Sequence, residues 1–276
     1  MECISVFDML KIGIGPSSSH TLGPWRACER WISELKEQSL FEKVEHITVD
    51  LYGSLSLTGK GHATDLAIIL GLNGLNPETF PVDSISTIIE AVNSKNQIRF
   101  NNEYVLGFNP KEDIIFDKTF LPFHSNGMKF TAVIDGKKHQ TTFYSIGGGF
   151  IQQEGVVQAV SNKKLPKYIY KNLNELVAIH EVEKIDLADL LIQNEIALTG
   201  KSEADIYEGI SEIMQVMSNS VHSGLQKEGV LAGGLNVHRR AKAMYAKALA
   251  MDEKKRYADA LMARMNAYAL ATSEEN

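Results

Sequence analysis

The chain has 276 residues, 44% of them hydrophobic and 22% charged, and a formal charge of -6. This is enough for one large domain or two smaller ones with their own cores, and so mild an acidity offers no clustered basic surface to nucleic acid or anionic lipid. Cys3 and Cys28, far apart, exclude a disulfide framework and a multi-cysteine metal cage built from this chain alone.

No N-terminal apolar run has the form of a signal peptide, and no stretch approaches membrane-spanning length, so a cytoplasmic location is expected. The basic run Asn236–Arg240 reads as a helix opening with solvated charges.

Up to Gln152 the sequence carries nearly all the Gly-rich turns and every proline except Pro166. Pro24 marks a helix starting after Thr21 and running through Glu37, with Trp25, Cys28, Ile32 and Leu35 on one face. Val44–Leu51 alternates as a half-buried strand, setting Val44, His46, Thr48 and Asp50 against Glu45, Ile47, Val49 and Leu51. Helices are predicted over Thr64–Leu72 and Ser86–Val92, and strands over Tyr104–Phe108, Met128–Ile134 and Gln140–Ile146. Asp135-Gly136, between the last two, is a strong hairpin signal. Without regular βαβ alternation, the pattern favours an α+β domain with a largely antiparallel sheet.

Residues 153–185 are polar and charge-mixed and read as a linker. From Asp186 the pattern is helical. Leu187, Leu190, Leu191 and Asn194 give one face, and Ser202 with Asp205 caps a helix bearing Ile206, Ile210, Ile213 and Met217. Val237, Ala241, Met244, Ala248 and Met251 line another, and Tyr257, Leu261, Met265 and Tyr268 a fourth. These one-sided apolar faces need a partner.

The densest chemical signal is Gly13-Ile14-Gly15-Pro16-Ser17-Ser18-Ser19-His20-Thr21. Hydroxyls and backbone N–H groups gathered just before a helix can hold a carboxylate or phosphate, while a Ser-rich loop with an ordinary cap explains them equally well. A second loop, Thr58-Gly59-Lys60-Gly61-His62-Ala63-Thr64-Asp65, sets an imidazole between glycines, with Thr64 and Asp65 able to cap the helix or orient the ring. Its glycine spacing before Lys60 is wrong for a P-loop. His124-Ser125-Asn126-Gly127-Met128 and Ser145-Ile146-Gly147-Gly148-Gly149-Phe150 read as tight turns where a backbone can approach a ligand. Glu228-Gly229-Val230-Leu231-Ala232-Gly233-Gly234-Leu235 reads as an interhelical link.

Taken together, Ser5-Val6-Phe7-Asp8-Met9, the Gly13–Thr21 and Thr58–Asp65 loops, Asn126-Gly127-Met128 and Tyr144–Phe150 resemble the β domain of iron–sulfur L-serine dehydratases. Glu228–Leu235 with Arg239-Arg240-Ala241 resembles the opening of that family's α domain. The resemblance covers essentially the whole chain. It implies elimination of water and ammonia from L-serine to give pyruvate, with a four-iron four-sulfur cluster rather than pyridoxal phosphate, and a homodimer.

By the resemblance, His62 matches the base and His20 a second imidazole near the leaving hydroxyl. Ser17, Ser18, Ser19, Thr21 and Thr64 match groups that hold the substrate and the imidazoles, and Asn126 and Gly127 line the same pocket. It further implies a domain similar to the allosteric substrate-binding domain of 3-phosphoglycerate dehydrogenases over 1–152, a linker over 153–185, and the first helices of an incomplete cluster-binding domain over 186–276.

The family's cluster cysteines lie downstream of the Gly-Gly-Leu motif, and no cysteine follows Cys28. Cys3 and Cys28 read as small core residues. The expectation is therefore a truncated single-chain enzyme, inactive alone, whose missing cluster-binding part is a required partner. A non-catalytic amino-acid-binding module is the competing reading, with a purely oligomeric role for 186–276 behind it. A pure binding module has no need of paired imidazoles.

Overall fold

A computed structural model describes residues 4–15, 17–156, 164–231 and 236–275. Cys3, Pro16 and Gly233-Gly234, each singled out above, lie outside the described residues.

In chain order, α1 is Val6–Met9, α2 Gly23–Glu37, β1 Val44–Tyr52, α3 Ser54–Thr58, α4 Thr64–Leu72, α5 Ile85–Lys95, β2 Gln97–Phe100, β3 Tyr104–Gly107, α6 Pro110–Asp113 and β4 Ile114–Asp117. Then follow β5 Gly127–Ile134, β6 Lys137–Gly147, β7 Phe150–Gln153, α7 Leu173–Glu183, α8 Leu187–Thr199, α9 Glu203–Gly224, α10 Ala241–Glu253 and α11 Tyr257–Glu275. The chain divides into two compact units, one made of 1–11 with 157–219 and the other of 12–156 with 220–276.

The larger unit is built on a sheet of strand order β4-β1-β5-β6-β7, mixed because β1 and β4 run parallel while the other neighbours are antiparallel. A separate hairpin pairs β2 with β3. The core joins one face of the sheet to α2 and α4: Ala27, Cys28, Trp31 and Ile32 meet Ile47, Val49, Leu51, Phe130 and Phe143, with Ile68, Ile69 and Leu72 closing it. Trp31 packs on Phe130 with ring centroids 5.1 Å apart. Burying each such large apolar side chain contributes about 1.5–3 kcal/mol.

β1 departs from simple alternation. Its register slips between Val44 and His46, leaving Glu45 as the extra residue of a bulge. Val44 thereby lies buried with Ile47, Val49 and Leu51, and not with His46, Thr48 and Asp50 as plain alternation had it. The turn at Asp135-Gly136 takes φ of 50° and 69°, the left-handed pair that a two-residue hairpin between twisted strands requires.

In the same unit, α10 and α11 pack through a seam of buried alanines: Ala241, Ala248, Ala260, Ala263, Ala267 and Ala271. Small side chains let the helix axes approach. Tyr257, Leu261, Met265 and Tyr268, the face expected from apolar spacing, are exposed instead. Glu274 is buried and accepts the N–H groups of Arg240 (2.7 Å) and Ala241 (3.3 Å), so the end of α11 caps the start of α10.

In the smaller unit, Glu195 of α8 accepts the Ser5 hydroxyl and the Val6 N–H, each at 2.7 Å, and so joins α1 to α8. The segment read as a linker contains α7, capped by Asn172, whose side chain accepts the N–H of Glu175. Asn194, on the expected apolar face of α8, is buried because its amide brackets Tyr168, accepting its N–H (2.7 Å) and donating to its carbonyl (2.9 Å). Ser202 and Asp205 form the expected reciprocal cap of α9: each side chain bonds the other's backbone N–H.

Candidate active site

His20 and His62 come from loops that start two different helices, and the fold sets them face to face with ring centroids 4.8 Å apart and planes inclined at 36°. Residues Ser18–Leu22 form a π-helical turn in which Leu22 N–H reaches back to Ser17 O and Gly23 N–H to Ser18 O. A π turn inserts one residue into a helical start and rotates the side chains on it. The Ser17 hydroxyl caps this turn by accepting His20 N–H at 3.2 Å.

The two loops brace each other. Thr21 Oγ1 donates to the carbonyl of His62 at 2.9 Å, and Thr64 Oγ1 donates to the carbonyl of His20 at 2.7 Å. Each such bond is worth about 1 kcal/mol net. Their main effect is positional, because each threonine holds the backbone of the other loop's histidine. Ala63, directly after His62, sits in the left-handed region at φ 54° and ψ 36°. For an L-residue with a Cβ this costs about 1–2 kcal/mol, a strain of the kind that clusters at working sites.

The hydrogen bonds decide which nitrogens are free. His62 Nδ1 lies 3.0 Å from the Thr58 carbonyl. A carbonyl only accepts, so Nδ1 carries the proton, and in the neutral ring Nε2 keeps the lone pair. His20 is held differently: Nδ1 is 3.0 Å from Ser19 Oγ, and Nε2 is 3.0 Å from Ser54 Oγ. Hydroxyls both donate and accept, so His20 can sit in either tautomer and pass a proton along this line. Burial, and next the charge of His62, lower the pKa of His20 below the ordinary value, against the opposing pull of hydrogen bonding at Ser54.

Ser17 Oγ lies 3.3 Å from Ser19 Oγ, and Ser18 is exposed on the turn. Asn126 is buried, with its amide donating to the Ser145 carbonyl at 3.1 Å. The Ser145 hydroxyl in turn donates to Ser19 O at 2.7 Å, so Asn126 acts on the serine turn through Ser145. Gly127 opens β5 in close packing, since a Cβ there would come within 2.7 Å of Leu121. Asp65 accepts the N–H of Leu66, and burial raises its pKa. Lys60 stacks over the ring of Phe116, 5.3 Å from its centroid.

The roles of the Ser54 hydroxyl, the Thr58 carbonyl and the Ser145 hydroxyl escaped sequence reasoning, although Thr58 and Ser145 lie in motifs it singled out. Ser54 follows Gly53, whose φ of 54° turns the chain at the end of β1, and Gly-Ser after a strand was the available signal. A carbonyl leaves no trace in residue type.

A cavity of about 310 Å³ is lined by Thr21, Gly61 and Ala63, the chain neighbours of the two histidines, by Trp25 and Leu66, and by Arg239 with Glu275. Among the described residues no three His, Cys, Asp or Glu side chains gather as a metal-holding group. Cys28 is fully buried, and burial raises its thiol pKa well above the ordinary value. An iron–sulfur cluster is held by thiolates, so the described residues do not fit one.

Paired imidazoles with their hydroxyl partners, set beside a cavity of small-molecule size, define a site for acid–base chemistry on a small polar molecule. The chain matches the serine dehydratase beta chain family over residues 5–156 and the serine dehydratase alpha chain family over 182–276. It belongs to the serine dehydratase family. It is 42% identical over 279 residues to L-serine dehydratase TdcG of Escherichia coli (strain K12), covering 99% of this chain and 60% of that protein. L-serine dehydratase of Haemophilus influenzae is 38% identical over 277 residues, with the same two shares. L-serine dehydratase 1 of Escherichia coli is 40% identical over 276 residues, again covering 99% and 60%. The chain thus spans about 60% of the length of these curated relatives. Among the described residues no helix is long and apolar enough to cross a membrane.

Proposed function

We propose that this chain supplies the base and the substrate-holding loop for conversion of L-serine to pyruvate and ammonia by α,β-elimination. The observation that carries this reading is the His62 ring, whose Nδ1 is committed to the Thr58 carbonyl while its Nε2 is left to take a proton.

The Cα proton of serine is weakly acidic and hydroxide is a poor leaving group, so a base and an acid must act together. His62 Nε2 takes the Cα proton. His20, both of whose nitrogens are hydrogen-bonded to hydroxyls, relays a proton through Ser19 or Ser54 to the departing hydroxyl. The Ser17–Ser19 turn holds the substrate carboxylate. Thr21 and Thr64 keep the imidazoles in place, and Asn126 supports the turn through Ser145, with Gly127 its chain neighbour. The hydroxyl leaves as water, and the resulting 2-aminoacrylate tautomerises to the imine, which a water molecule hydrolyses to pyruvate and ammonia.

A four-iron four-sulfur cluster, held by cysteines in the portion of the relatives that this chain does not span, would supply the Lewis acid for the hydroxyl. A cytoplasmic homodimer, a substrate domain over 1–152 similar to the allosteric domain of 3-phosphoglycerate dehydrogenases, a linker over 153–185 and a cluster-binding remainder begun at 186 complete the proposal.

The test is pyruvate formation from L-serine with the remaining portion of a matched relative supplied in trans. His62→Ala should lower turnover by roughly two to four orders of magnitude, with L-serine affinity nearly unchanged. Full activity in that variant would remove His62 as the base. Binding of L-serine with no turnover in any combination would favour a non-catalytic module.

A further inference from the structure

A second cavity, of about 290 Å³, lies between α5 and the β2–β3 hairpin, and none of the candidate active-site residues lines it. Its apolar wall is formed by Leu75, Ile88, Val92 and Ile98, and its polar wall by Lys95, Arg99 and Asn102. The lining contains no Asp or Glu. That charge asymmetry specifies the occupant.

Lys95 is in the last turn of α5, where its charge offsets the negative end of the helix dipole. Among the described residues it has no ion-pair partner. Arg99 remains: its side chain makes one long contact, 3.4 Å to the Asn102 carbonyl, so most of the guanidinium fork is uncommitted. Such a fork is shaped for a carboxylate. Glu103, the nearest acid along the hairpin, is already engaged by Lys36 and Asn101. Asn73 is likewise used up, accepting Arg99 N–H and donating to Ile69 O, and this fixes the strand that presents the arginine.

We propose that this cavity, at the lower size limit of ligand pockets, is a binding site for a small monocarboxylate with an apolar body of about four to six carbons. The carboxylate pairs with Arg99, and the body lies against Ile88, Val92 and Ile98. An amino acid is disfavoured, because the lining holds no carboxylate to pair with its ammonium group.

The experiment is calorimetric titration of the full chain with 4-methylpentanoate, with L-leucine as the matched probe that adds only an ammonium group. Saturable 1:1 binding of 4-methylpentanoate is expected, with L-leucine at least about tenfold weaker, since an unpaired charge costs more than a hydrogen bond. Arg99→Glu should weaken 4-methylpentanoate by about tenfold or more, and Ala91→Phe, which fills the cavity from α5, should abolish binding. Arg99 and Ala91 are both exposed, so neither change disturbs the core. No saturable binding, equal binding of the two probes, or binding unmoved in R99E and A91F would each overturn the proposal.

Discussion

His20 and His62 stand with ring centroids 4.8 Å apart, and each has its backbone carbonyl gripped by a threonine from the other's loop. Two imidazoles this close repel when both are charged. Protonation of the second is therefore opposed by the first.

The consequence for stability has a definite sign. The pKa of His20 is lowered in the folded chain from the ordinary value of 6.5, by burial first and by His62 second. Below 6.5 the unfolded chain binds the proton that the folded chain resists, so stability falls with pH from there down to the lowered folded pKa, and levels off beneath it. Urea midpoints between pH 5 and 8 should show this slope, and His20→Gln should flatten it. An equal slope in both proteins would place the titration elsewhere.

Ala63 holds a left-handed conformation beside His62. Glycine removes the Cβ penalty of about 1–2 kcal/mol, and its added unfolded-state entropy offsets part of that gain, so Ala63→Gly should raise stability by about 0.5–1 kcal/mol. Denaturant titration checks it. A loss of stability would mean that the Cβ makes a contact worth more than the strain.

Gly23 is helical, where alanine is ordinarily preferred by about 1 kcal/mol. Here a Cβ would lie 2.1 Å from Ser145 Oγ and displace the hydroxyl that holds Ser19 O. The clash outweighs propensity: Gly23→Ala should destabilise by about 1–3 kcal/mol, and adding Ser145→Gly should recover much of it. Without such recovery, the Gly23–Ser145 approach is not the reason for the glycine.

Glu274 caps α10 from the far end of α11. Glu274→Ala should cost about 1–2 kcal/mol, as other lost helix caps do. Amide exchange should quicken most at Arg240 and Ala241. Unchanged protection there would show that the cap is redundant.

Periodicity made much of the larger unit legible where an element buries one face, as α2 does, while α4, buried nearly all round, showed itself by its continuous apolar run. Thr64–Leu72 is helical over the expected span, and the hairpin at Asp135-Gly136 follows from residues that tolerate positive φ. The bulge at Glu45 was not legible, since an extra residue in a ladder depends on the partner strand. The strands Gln97–Phe100, Ile114–Asp117 and Phe150–Gln153 are four residues each, too short to show a period. In α11 the large side chains drew attention to the wrong face, because alanines pack closely without looking amphipathic. At the site, residue types marked the two histidine loops but gave neither ring's tautomer. That depends on the Thr58 carbonyl, the Ser54 hydroxyl and the π turn, which only the fold brings together.

The most direct test of His62 as the base is its tautomer, read by long-range proton–nitrogen NMR of the histidine side chains in the chain as it stands, at a pH where the ring is neutral. The structure predicts a protonated Nδ1 and a lone-pair Nε2, with that preference lost only when the contact to the Thr58 carbonyl is lost. A neutral His62 carrying its proton on Nε2 would have no lone pair to offer the substrate from that nitrogen, and would contradict the assignment.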